Sequence, residues 1–401
     1  MGHSCGSVTE KDDKKISIAL LSSIVILTMQ YFLIVILNLM NTSMVTNIQL
    51  ISKIIVGLVY LYALPIVVKR SKGKLLLFYF IFVGIFLTHY LLYPDVRSEL
   101  VSIGVTFFTM ALPSFIYALS LRNLNVLKKV MNKASLIVFI LGIILGFLIV
   151  LKIVDLGDYS MALSYYMLLP ALINMDELLS KFSIKSFIIL LGSLIVILAL
   201  GSRGAMICVV IFTILKLIKF EHRLTIKSFL GYSFILFGGG IVLINFEKIL
   251  TSIYELLLNY GINSRSIKLF LGDDIHLSGR DGLYEKVLKE ISLYPLLGRG
   301  IGSDRIIIGN GYVHNILLEI LINFGVIIGS IIISIILLML LKILFEKNNL
   351  NYNIYIIWIA FGFIHLMVSS SYWSDQKFWI LLGLLVNGLF LKDRPLQNKI
   401  L

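Results

Sequence analysis

Three short segments of the chain carry residue types that could do chemistry. The first is Gly201-Ser202-Arg203-Gly204-Ala205, which sets a guanidinium between two apolar runs that would otherwise merge. An arginine facing lipid is costly, so Arg203 either faces a protein interior or water cavity, or marks a tight turn from which it snorkels. The second begins at Ser278-Gly279-Arg280-Asp281 and runs on to Pro295-Leu296-Leu297-Gly298-Arg299-Gly300-Ile301-Gly302. Its glycines lack the preceding strand and βαβ context of a dinucleotide fingerprint, which excludes that reading. They suit backbone amides approaching an anion, or close packing of the segment. Arg280 is either an anion ligand or the partner of Asp281 or another nearby acid. The third is Tyr312-Val313-His314-Asn315-Ile316-Leu317-Leu318-Glu319. A helix N-terminus offers free N–H groups and partial positive charge, which favours phosphate and disfavours imidazolium. His314 is therefore expected to be neutral, as a general base must be, with a structural histidine as the alternative. Glu319, costly in lipid, must pair or face a cavity.

These residues can act together only if the elements carrying them meet at one place. The elements are set by composition: 59% of the 401 residues are hydrophobic and 14% charged, with a mean hydropathy of +0.98. Such a chain takes lipid as its solvent. Runs long enough to cross a bilayer predict about twelve helices, at 16–38, 48–68, 75–93, 100–120, 134–154, 161–175, 187–201, 204–220, 228–246, 315–344, 354–373 and 378–391. The first run is longer than a signal-peptide core and is expected to be a retained span. The division is a cytoplasmic segment 1–15, helices over 16–246, a polar helical loop over 247–313, helices over 314–391 and a tail 392–401.

The formal charge of +13 sits in short clusters at every second loop, around Lys69–Lys74, Arg122–Lys133, Lys181–Lys185, Lys216–Lys227, Lys342–Lys347 and Lys392–Lys399. This is the positive-inside pattern, not a nucleic-acid surface, and it puts both termini in the cytoplasm. The same orientation places Arg203 at an outer turn, Arg280 in the outer loop and His314 at an outer helix start. Within that loop, Ile249, Ile253, Leu256 and Leu257 form one apolar stripe; Leu283, Val287, Leu288 and Ile291 form another, bounded by Ser278-Gly279 and Pro295. The loop is thus expected to be a folded lid. Guanidiniums with a helix N-terminus suit a pyrophosphate, and a neutral base beside them suits an incoming hydroxyl. The chemistry implied is group transfer from a polyprenyl-pyrophosphate-linked donor at the outer leaflet. Cys5 and Cys208 imply neither disulfide nor zinc. Asp273-Asp274 lack a third ligand in cation-rich surroundings, so no metal is expected.

The segments GSRGA at 201–205, SGR at 278–280, PLLGRGIG at 295–302 and HNILLEILINFGVIIG at 314–329 resemble the O-antigen ligase and O-antigen polymerase family of bacterial envelope glycosyltransferases. Tyr284 stands where many relatives are expected to have tryptophan. The resemblance implies an all-helical fold similar to GT-C glycosyltransferases, in the bacterial cytoplasmic membrane, with its site facing the periplasm or cell exterior and no cofactor. It implies that Arg203 and Arg280 bind the undecaprenyl pyrophosphate linkage and that His314 activates the acceptor hydroxyl. Arg299, Arg305 and Asn315 are further pyrophosphate candidates, His276 a weaker one, with Glu319 and Tyr284 in support.

The leading expectation is a polymerase that transfers the growing O-antigen or capsule glycan to an incoming lipid-linked repeat unit. A chain-length regulator and a flippase of the same pathway are its candidate partners. A ligase delivering the glycan to lipid A-core uses the same donor and stays open. A transporter also suits about twelve spans, but no repeated half is visible and intramembrane charges are sparse. A structural scaffold would not need Arg203, Arg280 or His314.

Overall fold

The computed structural model describes residues 2–39, 42–151, 153, 161–199, 202–219, 246–259, 280–309 and 311–391. Among them every regular element is helical. The α-helices are α1 (Gly2–Ile36), α2 (Met44–Leu92), α3 (Arg97–Thr106), α4 (Leu112–Leu119), α5 (Leu124–Val150), α6 (Met161–Tyr166), α7 (Leu168–Ser180), α8 (Ile184–Ala199), α9 (Arg203–Ile218), α10 (Phe246–Asn259), α11 (Asp281–Leu293), α12 (Ser303–Ile308), α13 (Ile316–Leu344), α14 (Asn349–Trp358) and α15 (Gln376–Leu391).

Among the described residues, five stretches are long and apolar enough to cross a bilayer: Val8–Ile36, Met44–Leu92, Pro94–Leu119, Leu124–Ile149 and Ile316–Leu344. The chain is a membrane protein. Helices α6 to α9, α14 and α15 fall on expected spans but are shorter than a full crossing. The span expected at 228–246 lies almost wholly outside the described residues, as do Gly201, Asp273, Asp274, His276, Ser278 and Gly279.

The chain divides into two compact units, Met1–Leu20 with Val59–Lys128 and Leu277–Leu401, and Leu21–Leu58 with Lys129–His276. In the first unit, α2 is interrupted at Ser71 (φ −143°, ψ 27°). Before that residue the Tyr60 hydroxyl meets Ser114 Oγ at 2.8 Å, and at the break Ser120 Oγ donates to Ser71 Oγ at 2.9 Å. Beyond it Phe78 packs on Phe115, and Phe82 and Phe86 pack on Phe107. A straight helix rising about 1.5 Å per residue could not make all these contacts with one partner. The two arms of α2 run in opposite directions along α3 and α4, matching the separate spans expected at 48–68 and 75–93.

The stretch from α3 to α4 is continuous through a π-helical turn, Phe107–Ala111. Pro113 follows and cannot donate an amide hydrogen bond; the Tyr79 hydroxyl donates to the Phe108 carbonyl at 3.1 Å, and Ser114 Oγ donates to the Met110 carbonyl at 2.7 Å. Gly383 lets α15 close on α4, since a Cβ there would collide with the Phe115 carbonyl. Asn387 Nδ2 donates to the carbonyls of Leu121 (2.6 Å) and Ala118 (3.4 Å), satisfying the end of α4.

The ends of this stretch differ in chemistry. At its C-terminal end Arg70 pairs with Asp13 at 2.5 Å and donates to the Ser120 carbonyl, and the Arg122 amide also reaches Asp13. Around its N-terminal end, about 35 Å away at helical rise, sit the loop 295–302 and α12. The second unit has its own core polar group. Lys216 Nζ contacts Asp176 Oδ1 at 2.6 Å, tying α9 to α7, while Glu177 accepts from Asn132 and Ser186.

Candidate functional site

His314 sits just before α13, in a turn that few residues adopt. Its φ is +56°, a left-handed value costing a non-glycine residue about 1–3 kcal/mol unless its surroundings hold it there. They hold it from both sides. Asn315 is the N-cap of α13, its Oδ1 accepting from the amides of Leu317 (2.9 Å) and Leu318 (3.3 Å). Val313 is fully buried, and its amide donates to Asp304 Oδ2 at 3.3 Å. The ring of Tyr312 lies 4.3 Å from that of His314.

The imidazole Nδ1 is buried without a hydrogen-bond partner among the described residues. Burial, and then the Arg280 guanidinium, push the His314 pKa down to about 4. The ring is therefore neutral at physiological pH, as the sequence suggested, though desolvation contributes more than the neighbouring charge. Arg280 is the N-cap of α11 and forms no salt bridge with Asp281.

The expected second stripe is seen in part: Val287 and Ile291 are buried, but Leu288 is exposed. With Val313 and Ile322 they form a small core against which Tyr284 packs. This core joins α11 to the start of α13 and gives Tyr284 a packing role. Pro295 stands two residues beyond the end of α11.

The glycine-rich loop after Pro295 is built for close packing. Helix α13 breaks at Gly325 (φ 77°, ψ 174°), a conformation essentially confined to glycine. The loop enters this break: the Arg299 amide donates to the Ile322 carbonyl at 2.8 Å and the Val326 amide to the Pro295 carbonyl at 2.6 Å. Gly298 (φ 69°) lies against Gly325, and a Cβ on either would collide with backbone of the other segment. On its other side the loop is fastened by Tyr93, whose hydroxyl donates to the Leu297 carbonyl, and by the Ile301 amide, which donates to His89 Nδ1.

Glu319, one turn into α13, is buried and accepts from the Ser371 hydroxyl and, at 3.2 Å, from the Tyr372 amide. Asn323, one turn further, donates to the Tyr372 hydroxyl at 3.1 Å. Arg305 contacts Glu99 at 3.6 Å; Arg299 contacts Glu290 at 3.4 Å and lies over the Tyr294 ring. Both arginines thus hold elements together. Asp304, beside Arg305, is buried, and desolvation raises its pKa to about 6.

The first unit therefore brings together His314, Asn315, Arg280, Arg305 and Glu319. Arg203 belongs to the second unit, where it begins α9 behind its N-cap Ser202. Sequence reading did not single out Asp304, Asn323, Ser371 or Tyr372. The run Ser369-Ser370-Ser371 inside an expected span was a legible signal for the last two; nothing comparable marked Asp304. Beside Glu319, an apolar cavity of about 790 Å³ opens along α13, lined by Phe82, Ile320, Phe324, Tyr372, Trp373 and Met339 among others.

Residues 188–333 match the family model described as O-Antigen ligase. The matched stretch contains Arg203, Arg280, the Gly298–Gly325 contact, His314 and Glu319, and it is the family that the sequence motifs resemble. The match supports glycosyltransferase activity of the O-antigen ligase and polymerase type. No curated protein matches the chain.

Proposed function

We propose that the protein is a polysaccharide polymerase of the bacterial cytoplasmic membrane. It transfers a growing glycan from undecaprenyl pyrophosphate to a sugar hydroxyl of an incoming lipid-linked repeat unit. The observation that carries this reading is His314: a neutral imidazole, clamped at a helix start beside the Arg280 guanidinium. The imidazole takes the proton as the acceptor oxygen bonds to the anomeric carbon. The bond from that carbon to phosphate breaks, and undecaprenyl pyrophosphate leaves with the electron pair. Arg280 stabilises the leaving charge. Arg203, Arg299, Arg305 and Asn315 are proposed as further ligands of that anion on the sequence resemblance, although Arg299 and Arg305 already hold acids and Asn315 caps α13. No metal is assigned a part.

Two features support a lipid-linked substrate met at the outer face. The basic residues Arg70 and Arg122 gather at the end of the α3–α4 stretch opposite the loop 295–302, which by the positive-inside rule favours an outward site. The apolar cavity along α13 has the character an isoprenoid chain requires. The second reading, a ligase, rests on the same family match and differs in its acceptor, lipid A-core.

Purified protein given lipid-linked repeat units alone separates these readings. A ladder of glycans without lipid A-core is expected; no ladder, with transfer once lipid A-core is added, would establish the ligase instead. Replacing His314, Arg280 or Arg203 by alanine should abolish product while leaving the protein in the membrane. Wild-type product in all three would remove the catalytic reading altogether.

A further inference from the structure

We propose that Asp304 is the positioning residue of His314, setting the place of the imidazole through the backbone of Val313. The proposal rests on His314 acting on the acceptor hydroxyl. A left-handed residue keeps its conformation only where both neighbours are fixed. On the C-terminal side Asn315 is fixed by its cap to α13. On the N-terminal side the hydrogen bond from the Val313 amide to Asp304 Oδ2 supplies the restraint.

The carboxylate is well placed to hold that bond. Asp304 is 1% exposed and lies in the first turn of α12, whose Arg305 amide donates to the Gly302 carbonyl at 3.2 Å. It follows Gly302, whose φ of +88° turns the loop into α12 against Glu99 and Ile103. Arg305 ties the same turn to Glu99. Asp304 therefore links the fixed end of α3 to the segment bearing His314. A surface-facing aspartate that merely capped α12 would need neither this burial nor the reach to residue 313.

The test compares Asp304→Ala, Asp304→Ser and Asp304→Asn in full-length protein. Serine retains an oxygen for the first turn of α12 but is too short to reach Val313; asparagine retains the reach. Two readouts are taken: turnover with lipid-linked repeat units, and the rate at which diethyl pyrocarbonate modifies His314, followed by mass spectrometry. The second does not depend on what His314 does. With serine, and with alanine if it accumulates, kcat should fall about tenfold to a hundredfold with little change in KM, because a shift of about 1 Å is enough for such a loss. The His314 modification rate should change severalfold, and asparagine should restore both readouts to near wild type. An unchanged modification rate with serine overturns the proposal, as does an asparagine variant as impaired as serine. If the modification rate changes as expected but His314→Ala remains active, the positioning stands and the catalytic reading of His314 falls.

Discussion

Replacing Gly325 by alanine should destabilise the protein by about 3–5 kcal/mol. Its φ of 77° and ψ of 174° lie where a Cβ clashes with its own backbone, for about 1–3 kcal/mol of strain. The new methyl would also collide with the Leu296 carbonyl and the Gly298 amide nitrogen, and backbone cannot rotate away as a side chain would. The loop must retreat, which breaks the Arg299–Ile322 and Val326–Pro295 hydrogen bonds. Each backbone group left unpaired in a buried setting costs about 1–3 kcal/mol. Water reaching some of these groups keeps the total in the lower part of the combined range. Thermal unfolding in detergent measures it, with Gly282→Ala as control: a Cβ there meets nothing within 4 Å, and alanine favours a helix by up to about 1 kcal/mol. The expected fall for Gly325→Ala is about 4–6 °C for a chain of this length, whereas Gly282→Ala should be unchanged or slightly raised. Gly298→Ala should act alike, and the double variant should fall well short of the sum of the two. A Gly325→Ala protein melting with wild type would refute the interlock.

Other perturbations address the charged groups. Modification of His314 by diethyl pyrocarbonate needs the unprotonated ring, so its rate should hold steady from neutral pH to about 5 and halve near pH 4; a midpoint near 6.5 would contradict a desolvated imidazole. Arg280→Gln should raise that midpoint while leaving most of the depression, because burial is its larger cause. Glu319→Ala should cost about 1–3 kcal/mol by leaving the Tyr372 amide unpaired, and Glu319→Gln clearly less, as read by unfolding in detergent; equal losses would mean that the negative charge, not the acceptor, matters. In the second unit, Asp176→Ala should lose about 1–3 kcal/mol by taking the carboxylate at 2.6 Å from Lys216, which keeps Ser180, and adding Lys216→Ala should recover part of it in the same assay.

What was legible in the sequence follows from the range of the forces involved. The five long apolar stretches were visible because burying a helix in lipid needs a local apolar run, and the two arms of α2 were separable because Lys69–Lys74 mark the break between them. His314 and Asn315 could be placed at a helix start because capping is also local. Gly325 was hidden for the opposite reason. Within an apolar run it reads as one more membrane glycine, and its need for φ +77° arises only when a loop some thirty residues earlier enters the helix. Asp304 was hidden likewise: after Gly302-Ser303 it has the form of an ordinary helix-start acid, and its reach to Val313 depends on how α12 folds back. Arg299 and Arg305 illustrate the converse. Sequence ranks every arginine near the motif as an anion ligand, yet the acids at Glu290 and Glu99 become partners only in three dimensions. Among these three arginines, Arg280 is the one whose charge acts on the His314 imidazole, whereas Arg299 and Arg305 are held by Glu290 and Glu99, so removing Arg280 should perturb transfer more than removing Arg299 or Arg305.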